Sequence, residues 1–212
     1  MLTRLHIGLI LGTAMVIWAV ILAIRGVPVT ADLLIPYGVA VSALTLLCVG
    51  FNRWCWRLGV FRGWLVQRPW LQGTWRVRLQ SGWTNPDTGD VIKPIDGYMT
   101  IHQTFSLLSL RLFTRESASA SISASVLCAE DGVFKVVATY QNEPSAGLRG
   151  VKSEIHFGTL MLMVHGDPPT ALSGHYWTDR KTTGTIELSD RQGKAISSFA
   201  QGESLYGPDE LT

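Results

Sequence analysis

Two long stretches near the N-terminus contain no charged residue, and they constrain this chain more than any other feature. They run from Ile7 to Ile24 and from Leu33 to Asn52. A helix of about 20 apolar residues covers the hydrocarbon core of a bilayer, because it rises about 1.5 Å per residue. The sequence therefore predicts two transmembrane helices, at about 7–24 and 33–52. A cleaved signal peptide is the alternative for the first stretch, but no A-x-A site separates it from the second.

The residues around these stretches predict an orientation. Gly26 and Pro28 lie between them, so we expect an antiparallel hairpin. The segment that follows is rich in arginine and tryptophan: Arg53, Arg57, Arg62 and Arg68, with Trp54, Trp56, Trp64 and Trp70. Positive charge stays on the cytoplasmic side, and indole rings prefer the headgroup level. We therefore predict that residues 1–72 form a hairpin with a juxtamembrane segment, and that both termini lie in the cytoplasm.

Charge and cysteine content exclude several classes of protein. The formal net charge is +2, yet basic residues predominate only in 1–72 and acidic residues predominate afterwards. This distribution indicates attraction to a lipid bilayer rather than binding to DNA or RNA. The three cysteines, Cys48, Cys55 and Cys128, show no C-x-x-C spacing. They are typical of a reducing compartment and argue against a disulfide framework or a zinc site.

From Gly73 onward the hydrophobic pattern has a period of two. Several short strands joined by brief turns predict an antiparallel sandwich or barrel, and eight strands can close into an up-and-down, lipocalin-like barrel that holds one small ligand. We assign this barrel to residues 73–191 and a flexible, polar tail to 192–212. The predicted strands are Thr74–Gln80, Tyr98–Phe105, Leu107–Thr114, Ser117–Cys128, Val133–Gln141, Glu154–His165, Ala171–Asp179 and Gly184–Ser189.

Two strands carry polar side chains that need an explanation. From Ser117 to Ser125, serine occupies every odd position and apolar residues occupy the even ones. This polar face either meets water or lines a hydrated cavity, and both interpretations stay open. Gln103 is in phase with apolar neighbours, and a buried amide without a partner costs about 1–3 kcal/mol. Its partner would be a neighbouring strand or a ligand.

The segment from Gly174 to Gly184 has the highest density of functional side chains. Tyr176, Thr178 and Arg180 share one face at a period of two, with His175, Trp177 and Asp179 on the other. A ring for stacking, a hydroxyl and a guanidinium in one row are suited to holding a nucleotide.

Motifs for catalysis are absent from the sequence. The chain contains no G-x-x-x-x-G-K-[ST], G-x-G-x-x-G, G-x-S-x-G or H-E-x-x-H. Its five histidines are scattered and form no metal-ligand pairs. We therefore predict no enzymatic activity, no catalytic residues, no metal and no cofactor.

Together these features resemble the two-transmembrane β-barrel effectors of bacterial CBASS anti-phage systems, the SMODS-associated two-transmembrane β-strand-rich effector domains. The segments that carry the resemblance are Gly73-Thr74-Trp75, IHQTF at 101–105, the alternating serines, NEP at 142–144, IHFGT at 155–159 and YWTDRKTTGTIEL at 176–188. Apart from the tail after Arg191, the resemblance covers nearly the whole chain.

The resemblance implies a receptor and an effector in one chain. A cyclic-nucleotide synthase encoded nearby would make a cyclic dinucleotide, the barrel would bind it, and the protein would form a homo-oligomer in the bacterial inner membrane. Membrane disruption would then kill the infected cell. The ligand-binding residues implied are Tyr176, Thr178, Arg180, Gln103, Thr104, Ser119 and Ser121. The rings would stack, the hydroxyl and amide groups would meet base edges, and Arg180 would meet phosphate.

Two other functions suit the same pattern. A membrane-tethered, lipocalin-like carrier of an apolar ligand would have a cavity lined with hydrocarbon. A structural scaffold would have a filled barrel. The inward or outward orientation of the serine row and of Arg180 distinguishes these from a dinucleotide receptor.

Overall fold

The computed structural model describes residues 4–28, 30–61, 63, 65–84, 88–148 and 154–207, with side chains described outside 4–10 and 31–37. Arg62 and Trp64, assigned from the sequence to the juxtamembrane segment, lie outside these residues. The chain divides into two compact units, Met1–Leu58 and Gly59–Thr212. Leu71, which the sequence analysis placed in the segment 1–72, belongs to the hydrophobic core of the second unit.

The first unit contains two helices, α1 (Arg4–Ile24) and α2 (Ala31–Arg53), followed by a short 3-10 turn at Cys55–Arg57. The end of α1 has a clear cause. Gly26 has φ of 69°, its amide donates to the Ala23 oxygen at 3.0 Å, and the Val27 amide donates to the Leu22 oxygen at 3.0 Å. Glycine reaches this left-handed conformation without steric cost, and the two bonds satisfy carbonyls that the helix leaves open.

The predicted transmembrane hairpin must be corrected. Over the residues that the structure describes, neither helix combines the length and the apolar character needed to cross a membrane. The predicted multi-pass placement in the inner membrane, with both termini and the barrel cytoplasmic, rested on those spans and is wrong for the same reason.

The second unit is a closed antiparallel barrel in which each strand pairs with the next and the last pairs with the first. The predicted eight-stranded up-and-down barrel is thus confirmed. Its strands are β1 (Gly73–Ser81), β2 (Ile95–Gln103), β3 (Leu108–Thr114), β4 (Ser117–Cys128), β5 (Phe134–Pro144), β6 (His156–His165), β7 (Ala171–Thr178) and β8 (Thr183–Gln192).

The two ends of the barrel differ. One end carries the connections 104–107, 129–133 and 166–170, and we call it the closed end. The other end carries the connections 115–116 and 179–182, and we call it the open end. At the closed end, apolar side chains from all around the barrel are buried, and Leu71 is among them. Trp75 and Leu162 are fully buried there. The core therefore fills one end of the barrel.

The predicted flexible tail contains a third helix, α3 (Phe199–Tyr206). The Ser198 hydroxyl accepts the Gln201 amide at 3.3 Å and caps its first turn. At the other end the Tyr206 ring stacks on Tyr98 with centroids 5.3 Å apart, and its hydroxyl is 2.7 Å from the Thr74 oxygen. These contacts hold α3 against the outside of the barrel, so the segment 199–206 is ordered rather than flexible.

Candidate functional site

The open end of the barrel contains a cavity of about 1110 Å³. Its inner wall is apolar at the floor, where Leu110, Leu160 and Ile186 lie, and polar nearer the rim. Ligand pockets commonly have about 300–1,000 Å³ and mix apolar walls with a few polar groups. The barrel is therefore not filled, as a scaffold would require, and the cavity is large enough for a nucleotide ligand.

A bulge in β4 decides where the serines point. The pairing of β4 with β5 shifts register between Ser121 and Ser123. Ser117, Ser119 and Ser121 line the cavity. Beyond the bulge, Ala124 and Val126 pack against the core. A bulge moves later side chains to the opposite face of a strand. The open half of β4 therefore presents hydroxyls inward, whereas the closed half presents apolar groups.

Two of these serines have defined partners. The Ser119 hydroxyl donates to Asn142 Oδ1 at 2.8 Å, and Asn142 is itself buried and lines the cavity. The Ser121 hydroxyl oxygen accepts the Leu110 amide at 2.9 Å. Asn142 is thus held in one orientation by its neighbour, and its amide is a fixed polar group in the wall.

Two tyrosine rings form a further part of the wall, Tyr140 on β5 next to the serines and Tyr176 on β7. Tyr140 pairs with Gly158 across β5 and β6, and Tyr176 pairs with Gly184 across β7 and β8. A Cβ at Gly158 would lie 2.5 Å from the Tyr140 ring, and one at Gly184 would lie 2.6 Å from the Tyr176 ring. Because each glycine lacks a side chain, each ring lies flat on the neighbouring strand. The cavity stays wide, with two aromatic faces in its lining.

Burial, with smaller contributions from Tyr176 and Asp179, raises the pKa of Tyr140 to about 12. A phenol in an apolar wall resists ionisation because the anion loses hydration. The Tyr140 hydroxyl therefore keeps its proton at neutral pH and presents both a donor and an acceptor to the cavity.

The turn between β7 and β8 adds two threonines. The hydroxyls of Thr178 and Thr182 are 2.6 Å apart, and the Thr178 amide donates to the Thr182 oxygen at 3.0 Å. Both line the cavity. Tyr176 and Thr178 from the predicted row therefore share this site, as do Ser119 and Ser121.

Arg180 lies elsewhere. β7 ends at Thr178, and the chain turns through Lys181, which has φ of 59°. Asp179 faces β6, where its carboxylate accepts the Phe157 amide at 3.1 Å. Arg180 is exposed in the turn and is not among the residues that line the cavity. The period-two row does not extend to it, because the strand ends first.

Gln103 and Thr104 lie at the closed end. The Gln103 amide oxygen accepts the Leu71 amide at 2.8 Å, and its nitrogen donates to the Pro69 oxygen at 3.0 Å. Thr104 accepts the Leu107 amide at 3.0 Å in the connection between β2 and β3. The partner expected for Gln103 is thus the chain segment before β1. A ligand-binding role for all seven residues stays a prediction.

Charged side chains stand at the rim of the cavity. Asp96, Glu116 and Glu203 are acidic, and among the described lining residues Arg115 alone is a lysine or arginine. Arg115 Nη2 is 3.1 Å from Glu203 Oε1. An anionic ligand therefore meets a rim whose positive charge is already paired.

The barrel matches a known protein family. The Cap15 family, described as a cyclic dinucleotide receptor domain, matches residues 66–190. That is more than half of the chain, from the segment that closes the barrel to the last strand. This chain belongs to the Cap15 family. The resemblance to a CBASS effector is thereby confirmed, and the receptor domain coincides with the barrel and its cavity.

Two curated relatives support this assignment to Cap15. CD-NTase-associated protein 15 of Staphylococcus schleiferi is 30% identical over 155 residues, which are 73% of this chain and 78% of the relative. The protein of the same name from Yersinia aleksiciae is 28% identical over 123 residues, which are 57% of this chain and 55% of the relative. The similarity to the first thus covers most of both chains.

The sequence alone did not single out Tyr140, Asn142, Thr182 or Arg115 in this Cap15 cavity. A signal was present for the first two, because they are in phase with the buried Val136 and Ala138 on β5. Thr182 and Arg115 lie in turns at the open end. A strand pattern gives no orientation for turn residues.

Proposed function

We propose that the open-end cavity binds a cyclic dinucleotide. The main support for this proposal is the inward orientation of the serines of β4, because an apolar ligand would form no hydrogen bonds with hydroxyl groups in the wall. Ser119 and Asn142 form a hydrogen-bonded polar pair that lines the cavity. An apolar ligand would remove water from these groups without replacing the lost hydrogen bonds. The edges of nucleobases carry the donors and acceptors that would replace them.

The two tyrosine rings are suited to holding the bases. Tyr140 and Tyr176 lie flat against neighbouring strands with their faces toward the interior. Stacking of a base on an aromatic ring contributes about 1–3 kcal/mol and tolerates any base. Discrimination among bases would come from Asn142, Thr178 and Thr182, whose donors and acceptors are fixed by their partners.

We propose a receptor that leaves its ligand unchanged. The family that matches this chain is described as a receptor domain, and this supports the proposal. A cyclic dinucleotide incubated with the full chain should be recovered intact by chromatography. Linear or mononucleotide products that appear with the protein and not with buffer would contradict this.

The upstream partner we propose is a CD-NTase that makes the ligand. The name CD-NTase-associated protein 15, borne by both relatives, supports this. The downstream event we propose is self-association that disrupts a bilayer. A ligand can shift such an equilibrium only if it binds the associated form more tightly. Exposed apolar side chains on α1 and α2, such as Ile17 and Leu46, support an apolar contact of this kind.

Calorimetry tests the binding step. The full chain should bind at least one member of a panel of 3′,3′-linked cyclic dinucleotides, and should bind a fluorescent fatty acid weakly or not at all. Absence of binding to every dinucleotide would overturn the proposal. Tight binding of the fatty acid alone would favour the apolar carrier.

A vesicle assay tests the response. The ligand that binds in calorimetry should increase the sedimentation coefficient of the chain and release dye from vesicles. Binding without either change would leave the receptor and remove the proposed output.

A further inference from the structure

The C-terminal helix α3 contributes to the rim of the cavity as well as to the outside of the barrel. Phe199 and Glu203 of α3 line the cavity together with Arg115, which lies in the turn between β3 and β4. The Arg115 guanidinium carbon is 5.6 Å from the centre of the Phe199 ring. Its Nη2 atom is 3.1 Å from Glu203 Oε1. Two residues of one helix therefore hold this arginine at the mouth.

Arg115 has the chemistry that a phosphodiester requires. Guanidinium groups form forked, charge-assisted hydrogen bonds with phosphate oxygens, and these are stronger than neutral ones. No other lysine or arginine is among the described residues that line the cavity. Arg180 stands in the turn after β7 and is not among the lining residues.

Glu203 competes for the same nitrogen atoms. Its carboxylate accepts the hydrogen bond from Arg115 that a phosphate would accept. The Arg115 and Glu203 side chains are 79% and 47% exposed. An ion pair this exposed contributes little to stability, because water screens both charges. A desolvated phosphate is therefore able to displace Glu203 at small cost.

We propose that Arg115 is the phosphate-binding residue of the cavity and that Glu203 of α3 is its exchangeable partner. This rests on the proposed function. When the cavity is empty, the ion pair joins α3 to the turn between β3 and β4. When the ligand enters, its phosphate takes Arg115 and the Glu203 carboxylate returns to water. The affinity for dinucleotide is thus set in part by a carboxylate of the C-terminal helix.

Five variants of the full chain test this by calorimetry with the dinucleotide that binds the wild type best. Arg115→Gln should weaken binding by about tenfold or more, since a charged hydrogen bond contributes about 1.5–3 kcal/mol and 1.4 kcal/mol is tenfold. Arg111→Gln is the matched control, because Arg111 is exposed on β3 and outside the cavity lining. It should bind as the wild type does.

The carboxylate is tested in the opposite direction. Glu203→Gln should tighten binding about two- to fivefold, the range for loss of an exposed competing ion pair. Glu187→Gln, on the outer face of β8, is the control and should have no effect. Equal thermal midpoints without ligand will establish that the exposed substitutions leave the fold intact.

The outcomes separate this inference from the proposed function. If the wild type binds no dinucleotide, the proposed function itself fails. If the wild type binds and Arg115→Gln matches Arg111→Gln, the receptor stands and the assignment of Arg115 is overturned. Weakening by Arg180→Gln instead would move the phosphate contact to the turn after β7. If Glu203→Gln leaves or weakens the affinity, the exchange is overturned.

Discussion

The closed and open ends of the barrel are built from the same eight strands, yet one is packed solid and the other encloses a cavity. At the closed end, Trp75 and Leu162 are fully buried, and Leu71 from the preceding segment completes the packing. At the open end, hydroxyl groups and two flat tyrosine rings replace the aliphatic side chains. Stability is thus concentrated at one end, which frees the other for binding.

A matched pair of substitutions on β6 sharpens this comparison most strongly. Leu162→Ala at the closed end should lower the free energy of unfolding by about 2–5 kcal/mol, since it removes contacts on every side. Leu160→Ala should cost clearly less, because Leu160 borders the cavity and already lacks neighbours on one side. Urea denaturation of the full chain measures both. Equal losses would contradict the division into a packed end and an open end.

Ligand affinity should respond at the open end. Tyr176→Ala should weaken dinucleotide binding by about 1–3 kcal/mol, through loss of one stacking surface. Trp177→Ala, the next residue on the outward face of β7, should leave the affinity unchanged. Calorimetry distinguishes the two. A larger loss for Trp177 would place the ligand on the outside of the barrel.

Gln103 tests whether the segment before β1 closes the barrel. Gln103→Leu removes the acceptor of the Leu71 amide and should cost about 1–3 kcal/mol of stability without changing the dissociation constant of the dinucleotide. Gln141→Leu is the control, since its amide contacts the exposed Glu143 carboxylate. A change in affinity for Gln103→Leu alone would restore the predicted ligand contact of this residue.

The smallest effect is expected on the free energy of unfolding at high pH. The pKa of Tyr140 is raised to about 12 in the folded chain, against about 10 when unfolded. Its contribution to stability is therefore complete below about pH 10 and is lost as the pH rises toward 12. The stability of Tyr140→Phe should fall less steeply over that window. Unfolding at about pH 9 and about pH 11 measures this, and identical slopes would contradict the burial of the phenol.

Tyr206 offers the corresponding test outside the barrel. Burial and the neighbouring Asp190 raise its pKa to about 12, while a hydrogen bond and Arg76 act in the opposite direction. Tyr206→Phe should likewise flatten the alkaline loss and should also weaken the docking of α3. Faster amide exchange in α3 below pH 10 would establish that second effect, and unchanged exchange would contradict it.

Alternation of apolar and polar residues determined the barrel from the sequence. All eight strands were predicted within a few residues of their bounds, because a period of two is a local property of the chain. The need of Gln103 for a partner also followed from its position among apolar neighbours. The identity of that partner did not, since residues 69–71 are distant from Gln103 in sequence.

Only the tertiary structure decided which polar residues share the cavity. The serine row divides at a bulge between Ser121 and Ser123, which sequence periodicity does not reveal. Arg180 does not share a strand face with Tyr176 and Thr178, because β7 ends at Thr178. Arg115 and α3 came to the rim through long-range contacts with residues about 90 positions apart. Local pattern fixes strands, whereas register, turns and docking depend on partners elsewhere in the chain.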